Sequence, residues 1–209
     1  MAVKKKETEA EQSIKIPPIE KKMVRITLVG DAPLLVNRFD EKSKRQMQDK
    51  ADKKAMAKRE FGSPEEQMER TLYRMPGKKN VYGIPAAALK NCAVSACRFI
   101  DGVPMTIAKG SFHVLEESAG LVPLDDCSDK PVIDERIVRV GNFGNKKPCV
   151  RFRGRFDKWQ ITFRVTFNSR VISTEQLLNL YENAGFSVGL HEYRPEKNGN
   201  LGLFHVKRG

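Results

Sequence analysis

The sequence predicts an α+β fold, ferredoxin-like or RRM-like, made of two βαβ units with a helical insertion and a long basic β-hairpin. Three observations predict it. Strand-period and helix-period segments follow one another as strand, helix, strand, twice over. A charge-dense helical run interrupts the first unit between Asp40 and Arg59. Two strand-like runs, separated by a Gly/Asn/Lys-rich tip, stand between the units. At 209 residues, 40% hydrophobic and 31% charged, the chain has length and apolar content for one sizeable core.

Residues 1–22 read as a charged tail of six lysines and four glutamates with Pro17 and Pro18. Residues 23–209 read as one domain, with the insertion over about 40–73 and the hairpin over about 135–156. The first strand is Met23–Gly30, where Val24, Ile26 and Leu28 alternate with Arg25 and Thr27. Asp40–Arg59 is helical in period but too polar to bury much surface. Ser63 then caps a new helix, with Pro64 at its first position and Glu65 and Glu66 in its first turn, running to about Tyr73.

The next helix is Pro85–Ile100, with Ala86, Leu89, Ala93, Ala96 and Ile100 close to one stripe. Phe112–Glu116 is a short strand, and Ser118–Lys130 a loop. Arg136–Val140 and Cys149–Phe156 form the hairpin. In Lys158–Asn168, Trp159, Ile161, Phe163, Val165 and Phe167 take one face and Lys158, Gln160, Thr162, Arg164, Thr166 and Asn168 the other. Ser173 and Gln176 make a capping box for Ser173–Ala184, and Gly185 stands where a terminating glycine belongs. Leu201–Val206 is the last strand.

The charge is the main pointer to function. The net charge is +12, with a pI near 9.6, which directs attention to nucleic acid or an anionic surface. No apolar run is long enough to cross a bilayer and no apolar stretch follows the first lysines, so no membrane role and a cytoplasmic location are expected. From Arg136 to Arg170 stand ten basic residues and one acid, Asp157. At its centre, strand period places Arg151, Arg153 and Arg155 on one face and Val150, Phe152 and Phe156 on the other. Arginines about 6.7 Å apart suit a row of phosphates. The competing reading is a charged edge strand that blocks aggregation. Arg136, Arg139, Lys146, Lys147, Lys158 and Arg164 are assigned to the same binding surface. Phe143 at the hairpin tip either stacks on a base or packs under its own loop. A Gly-rich C-terminal loop, 189–202, adds His191, Arg194 and Lys197, a composition common in ordinary surface loops too.

No metal, cofactor or catalytic residue is expected. Cys92, Cys97, Cys127 and Cys149 lack paired ligand spacing, and no phosphate-binding loop or catalytic triad pattern is present. Cys92 and Cys97 in the apolar helix read as small hydrophobes.

The run Tyr-Gly-Ile-Pro-Ala-Ala-Ala-Leu-Lys at 82–90 resembles the helix start of the RAMP superfamily. Gly189, followed by Gly199-Asn-Leu-Gly202 and a strand, resembles that superfamily's glycine-rich loop. From Lys22 onward the chain also resembles a group of bacteriophage proteins with a Gly-Ile/Phe-Pro-Ala-Ala helix and a Trp/Tyr-Arg-Pro-Glu-Lys-x-Gly loop, here Tyr193–Gly199. The RAMP resemblance implies a ferredoxin-like core with insertions, and a role like that of CRISPR effector backbone subunits, which assemble along a guide RNA. Some RAMP proteins are ribonucleases, and some cut with a loop aspartate; Asp31 lies in a loop after the first strand.

The expected function is therefore non-enzymatic binding of single-stranded RNA or DNA by a homo-oligomer or multi-subunit complex, in a bacterial host cytoplasm if phage-encoded. Two alternatives stand beside it. One is a metal-independent ribonuclease using His191 or His113 as general base. The other is an interaction or structural protein, such as a mimic of a CRISPR backbone subunit, binding protein through Asp40–Arg59.

Overall fold

A computed structural model describes residues 16–39, 45, 48–49, 51–52, 62–141, 145 and 147–208. Most of the predicted tail and of the Asp40–Arg59 insertion, together with Phe143 and Lys146, lies outside them. The described chain is mixed α and β, with four α-helices and antiparallel sheets.

The larger sheet contains β1 (Lys21–Gly30), β4 (Phe112–Leu115), β8 (Gln160–Asn168) and β9 (Phe204–Val206), in the order β4-β8-β1-β9. Every pairing is antiparallel, so β1 and β4 run parallel with β8 between them, and β8 and β9 run parallel with β1 between them. Helix α2 (Ala86–Ala96) lies in the connection from β1 to β4, and α4 (Thr174–Ser187) joins β8 to β9.

The alternation read from the sequence decides which face these helices cover. Ile26 and Leu28, Phe112, Ile161, Phe163, Val165 and Phe167, and Phe204 and Val206 are all buried. Leu89, Cys92, Ala93 and Ala96 from α2 and Leu177, Leu180, Tyr181 and Ala184 from α4 join them in the core. Each large side chain removed from water contributes about 1.5–3 kcal/mol, so this two-layer contact is the main source of stability. The capping box is present: Ser173 Oγ accepts from Gln176 N at 3.1 Å, and Gln176 Oε1 accepts from Ser173 N at 2.9 Å.

Trp159 precedes β8 and is buried with the same face. Its indole N–H donates to Ala32 O at 2.9 Å, and its ring lies so close to Gly30 that a Cβ there would sit 2.2 Å from Nε1. Gly185, expected after the helix, lies inside α4. The reason is steric: a Cβ at Gly185 would be 1.8 Å from Phe204 O, so glycine lets β9 cross the helix closely. The left-handed glycine ending the helix is Gly189, φ +71°, whose N–H bonds Ala184 O at 2.8 Å.

A smaller sheet, order β2-β7-β6, holds β2 (Leu34–Val36), β6 (Val132–Val140) and β7 (Lys147–Phe156). The hairpin strands start earlier than the sequence predicts. Strand β2 pairs only with Gly154, Arg155 and Phe156, so beyond Gly154 the hairpin is a two-stranded ribbon. Helix α1 (Pro64–Thr71) packs on this sheet at Gly154, whose N–H donates to Thr71 Oγ1 at 2.9 Å. A Cβ at Gly154 would meet Leu72 at 2.3 Å, so the glycine amid the arginines serves the docking of α1. A short pair, β3 (Gly83–Pro85) and β5 (Leu121–Pro123), and helix α3 (Met105–Ser111) complete the structure. None of these three short elements is apparent in the sequence pattern.

Candidate nucleic-acid interface

The register of the hairpin brings Asp134 opposite Arg153, Arg136 opposite Arg151 and Val132 opposite Arg155. Residues directly opposite project from the same face, so Asp134 and Arg136 join the three arginines of β7. Asp134 is 5% exposed and takes two guanidinium groups. Arg136 Nε and Nη2 donate to its carboxylate at 2.6 and 3.2 Å, and Arg155 Nη1 donates at 3.2 Å. Arg155 Nε also donates to Asp157 Oδ1 at 2.7 Å. These bonds raise the pKa of both arginines, chiefly through Asp134 for Arg136 and through Asp157 for Arg155.

The C-terminal loop closes over the same face. Tyr193 lies under the guanidinium of Arg136 at 4.5 Å and near that of Arg153 at 5.9 Å. The Arg153 side chain is only 13% exposed, with Nη1 3.8 Å from Glu192 Oε2. Glu192 is held in turn by Asn37, whose Nδ2 donates to Oε1 at 3.2 Å. The arginines therefore do not form the open comb that strand period suggests: acids and Tyr193 cover much of it. Arg139, opposite Pro148, projects from the other face with Ile137. Lys147 is exposed at the start of β7, and Lys158 is exposed in the turn after it.

Left-handed turns and close backbone approaches shape the loop. His191, Tyr193 and Asn198 have left-handed backbones at φ +59°, +54° and +59°. A Cβ at Gly199 would stand 1.8 Å from Tyr193 O, and one at Gly202 2.1 Å from Leu190 O. Arg194 clasps the turn, donating from Nη2 to Glu196 Oε2 at 2.7 Å and from Nη1 to His191 O at 2.8 Å. Glu196 also meets Arg98 at 3.2 Å.

His191 faces inward against Tyr73, with ring centroids 5.7 Å apart, and its Nε2 is buried without a hydrogen-bond partner although part of the residue reaches solvent. Burial pushes its pKa down to about 4. The ring is neutral near pH 7 and adds no positive charge, a correction to its expected role beside Arg194 and Lys197. Of these three, Lys197 is exposed and Arg194 is committed to Glu196.

Arg164 belongs to a different surface, the face of the larger sheet that the helices leave uncovered. There it stands opposite Arg25 of β1 and Leu115 of β4. Neither Arg25 nor Arg164 makes an ion pair among the described residues. Beside them Thr27 and Thr162 touch at 2.9 Å, and Thr162 Oγ1 donates to Asp125 Oδ2 at 2.8 Å. That assignment makes Thr27 the donor to Thr162. Next along the sheet, Thr166 stands between Met23 and His113, which approaches Lys90 Nζ at 3.4 Å. At the β9 edge His205 lies opposite Val29, with Nδ1 2.6 Å from Asp31 Oδ1.

The sequence singles out none of Asp134, Arg25 and His205 for a site; it marks Asp31 only as a loop aspartate and Tyr193 only as part of a loop motif. Arg25 was visible as a polar position of the first strand; the others depend on register or on loop packing.

No protein-family model matches the chain, and no curated protein matches it. Among solved structures the chain is similar to Cmr6 from Pyrococcus furiosus, with 13% identity and a TM-score of 0.45 over 91% of this chain and 100% of that one. No helix of the described residues is long and apolar enough to cross a membrane, and they contain no cluster of His, Cys, Asp or Glu suited to a metal ion.

Proposed function

We propose that the chain is a non-enzymatic single-stranded nucleic-acid-binding protein with a ferredoxin-like, RAMP-type core. The strand order β4-β8-β1-β9, with α2 and α4 in the two crossover connections, supports the fold reading. One observation carries the functional reading: Arg25 and Arg164 oppose each other on a sheet face that the helices leave uncovered, and neither forms an ion pair among the described residues. Opposed like charges destabilise a strand pair, and a phosphate between two guanidinium groups reverses that sign. Thr162 and Gln160 beside them are bonded to Asp125, His113 adds a hydrogen-bonding group, and exposed Lys21 and Lys158 extend the basic surface. Exposed Lys147 and Arg139 add further positive charge along the hairpin.

The test is fluorescence anisotropy with labelled single-stranded and duplex RNA and DNA over a salt series. Arg25→Glu with Arg164→Glu is expected to weaken single-strand binding on the order of 100-fold and to lower the salt slope by about 2. Unchanged affinity in this variant sinks the reading.

A second reading, a metal-independent ribonuclease, draws on the Asp31–His205 pair. A carboxylate at Nδ1 orients an imidazole so that Nε2 can take a proton, which buried His191 cannot do. Cleavage of labelled RNA that His205→Ala abolishes supports it, and intact RNA after prolonged incubation removes it.

A further inference from the structure

We infer that β6 is a dimerisation edge, and that two copies of the chain pair antiparallel through it about a two-fold axis at Ile137. Strand β6 is the outer strand of its sheet, nine residues long, and no described strand lies beyond it. The outer strands of the larger sheet are much shorter, four residues in β4 and three in β9. Proteins usually interrupt a long open edge with proline, lysine or a bulge, because its unpaired N–H and C=O groups recruit another strand. The sequence Val-Ile-Asp-Glu-Arg-Ile-Val-Arg-Val contains neither proline nor lysine, its one inward-facing acid, Asp134, is neutralised by Arg136 and Arg155, and its pairing with β7 runs through all nine residues without a bulge.

The side chains along this edge are those of an unfinished sheet. Ile137 is 73% exposed, and its cross-strand neighbour Val150 is 41% exposed. Ile133 and Val140 are exposed as well. On the Ile137 face, Glu135 and Arg139 flank it two residues to either side, exposed and without an ion-pair partner among the described residues.

That arrangement is self-complementary. In an antiparallel pair centred on Ile137, Ile137 opposes Ile137 of the partner subunit. Glu135 then opposes Arg139 of the partner subunit, and symmetry makes that ion pair twice. Val150, Ile137 and their two symmetry mates become one apolar row across four strands. Moving the centre to Glu135 or Arg139 sets like charges against each other. Moving it to Arg136 opposes two arginines and leaves Glu135 against Ile137. Only the Ile137 register satisfies both charges and the apolar row together.

The oligomeric state of the full chain, by light scattering over a concentration series without nucleic acid, tests the inference. A dimer is expected. Glu135→Arg and Arg139→Glu should each weaken it on the order of 10-fold, and the two changes in one chain should restore it. A monomer at every concentration, or a dimer indifferent to both single reversals, overturns the proposal. Cross-linking then reads the register in a Cys127→Ser, Cys149→Ser background. Ile137→Cys places two thiols within disulfide reach and should give a covalent dimer under mild oxidation. Ile133→Cys places them about 27 Å apart and should not. Equal cross-linking of the two variants overturns the Ile137 register.

Discussion

The hairpin and the open sheet face each oppose one arginine to another, Arg136 to Arg151 and Arg25 to Arg164. Their surroundings differ. The hairpin surrounds its arginines with Asp134, Asp157, Glu192 and the ring of Tyr193. On the sheet face neither Arg25 nor Arg164 makes an ion pair among the described residues, and Asp125 there is held by Thr162 and Gln160. The larger local count of cations is thus the more neutralised one. What a surface offers a phosphate depends on where its carboxylates sit in three dimensions, not on charge per stretch of sequence.

The strongest way to break this comparison is Asp134→Ala. Removing a nearly buried carboxylate that holds two arginines, each about a third exposed, should cost about 3 kcal/mol, seen as a fall in the denaturant midpoint with unchanged slope. A loss below about 1 kcal/mol would mean that the hairpin arginines do not need Asp134.

Acid should loosen the clamp that covers the hairpin. His191 has a folded-state pKa of about 4 against an ordinary 6.5. The unfolded chain therefore binds the proton first, and stability present above about pH 6.5 is lost as pH falls toward 4. The expected loss is about 3 kcal/mol, and His191→Gln should flatten that part of the pH profile. A profile identical in the variant would assign the acid sensitivity elsewhere.

Smaller effects sharpen the contrast. Arg153→Met should cost stability by about 1 kcal/mol through its lost contact with Tyr193, with less than about a two-fold change in single-strand affinity. Arg25→Gln should do the reverse, gaining roughly 0.5 kcal/mol by relieving Arg164 while weakening binding. Titration and thermal melts of the same two proteins decide it. If both variants lose affinity equally, the two faces act as one surface.

The elements that position these faces were legible where local pattern suffices. The alternation of β8 placed Ile161, Phe163, Val165 and Phe167 in the core, and Ser173 with Gln176 marked the start of α4. Gly185 is ambiguous because a helix-terminating glycine and a glycine admitting a crossing strand look alike in sequence. The arginines of β7 look open in sequence because a window beginning at Arg136 excludes Asp134, and hairpin register alone sets Asp134 opposite Arg153. Tyr193 was legible as a loop aromatic but not as the cover for Arg136, since its left-handed backbone is set by packing within the loop.

The one tryptophan of the chain gives these measurements an optical consequence. Trp159 is buried against Gly30, with its indole N–H bonded to Ala32. It sits on the core side of the larger sheet, away from Arg25 and Arg164. Its emission should shift to the red when the junction of β1, β8 and β9 melts and stay unchanged when a ligand fills the uncovered face. One intrinsic chromophore thus separates loss of fold from occupancy, and the arginine variants can be sorted in a cuvette without a label on the protein.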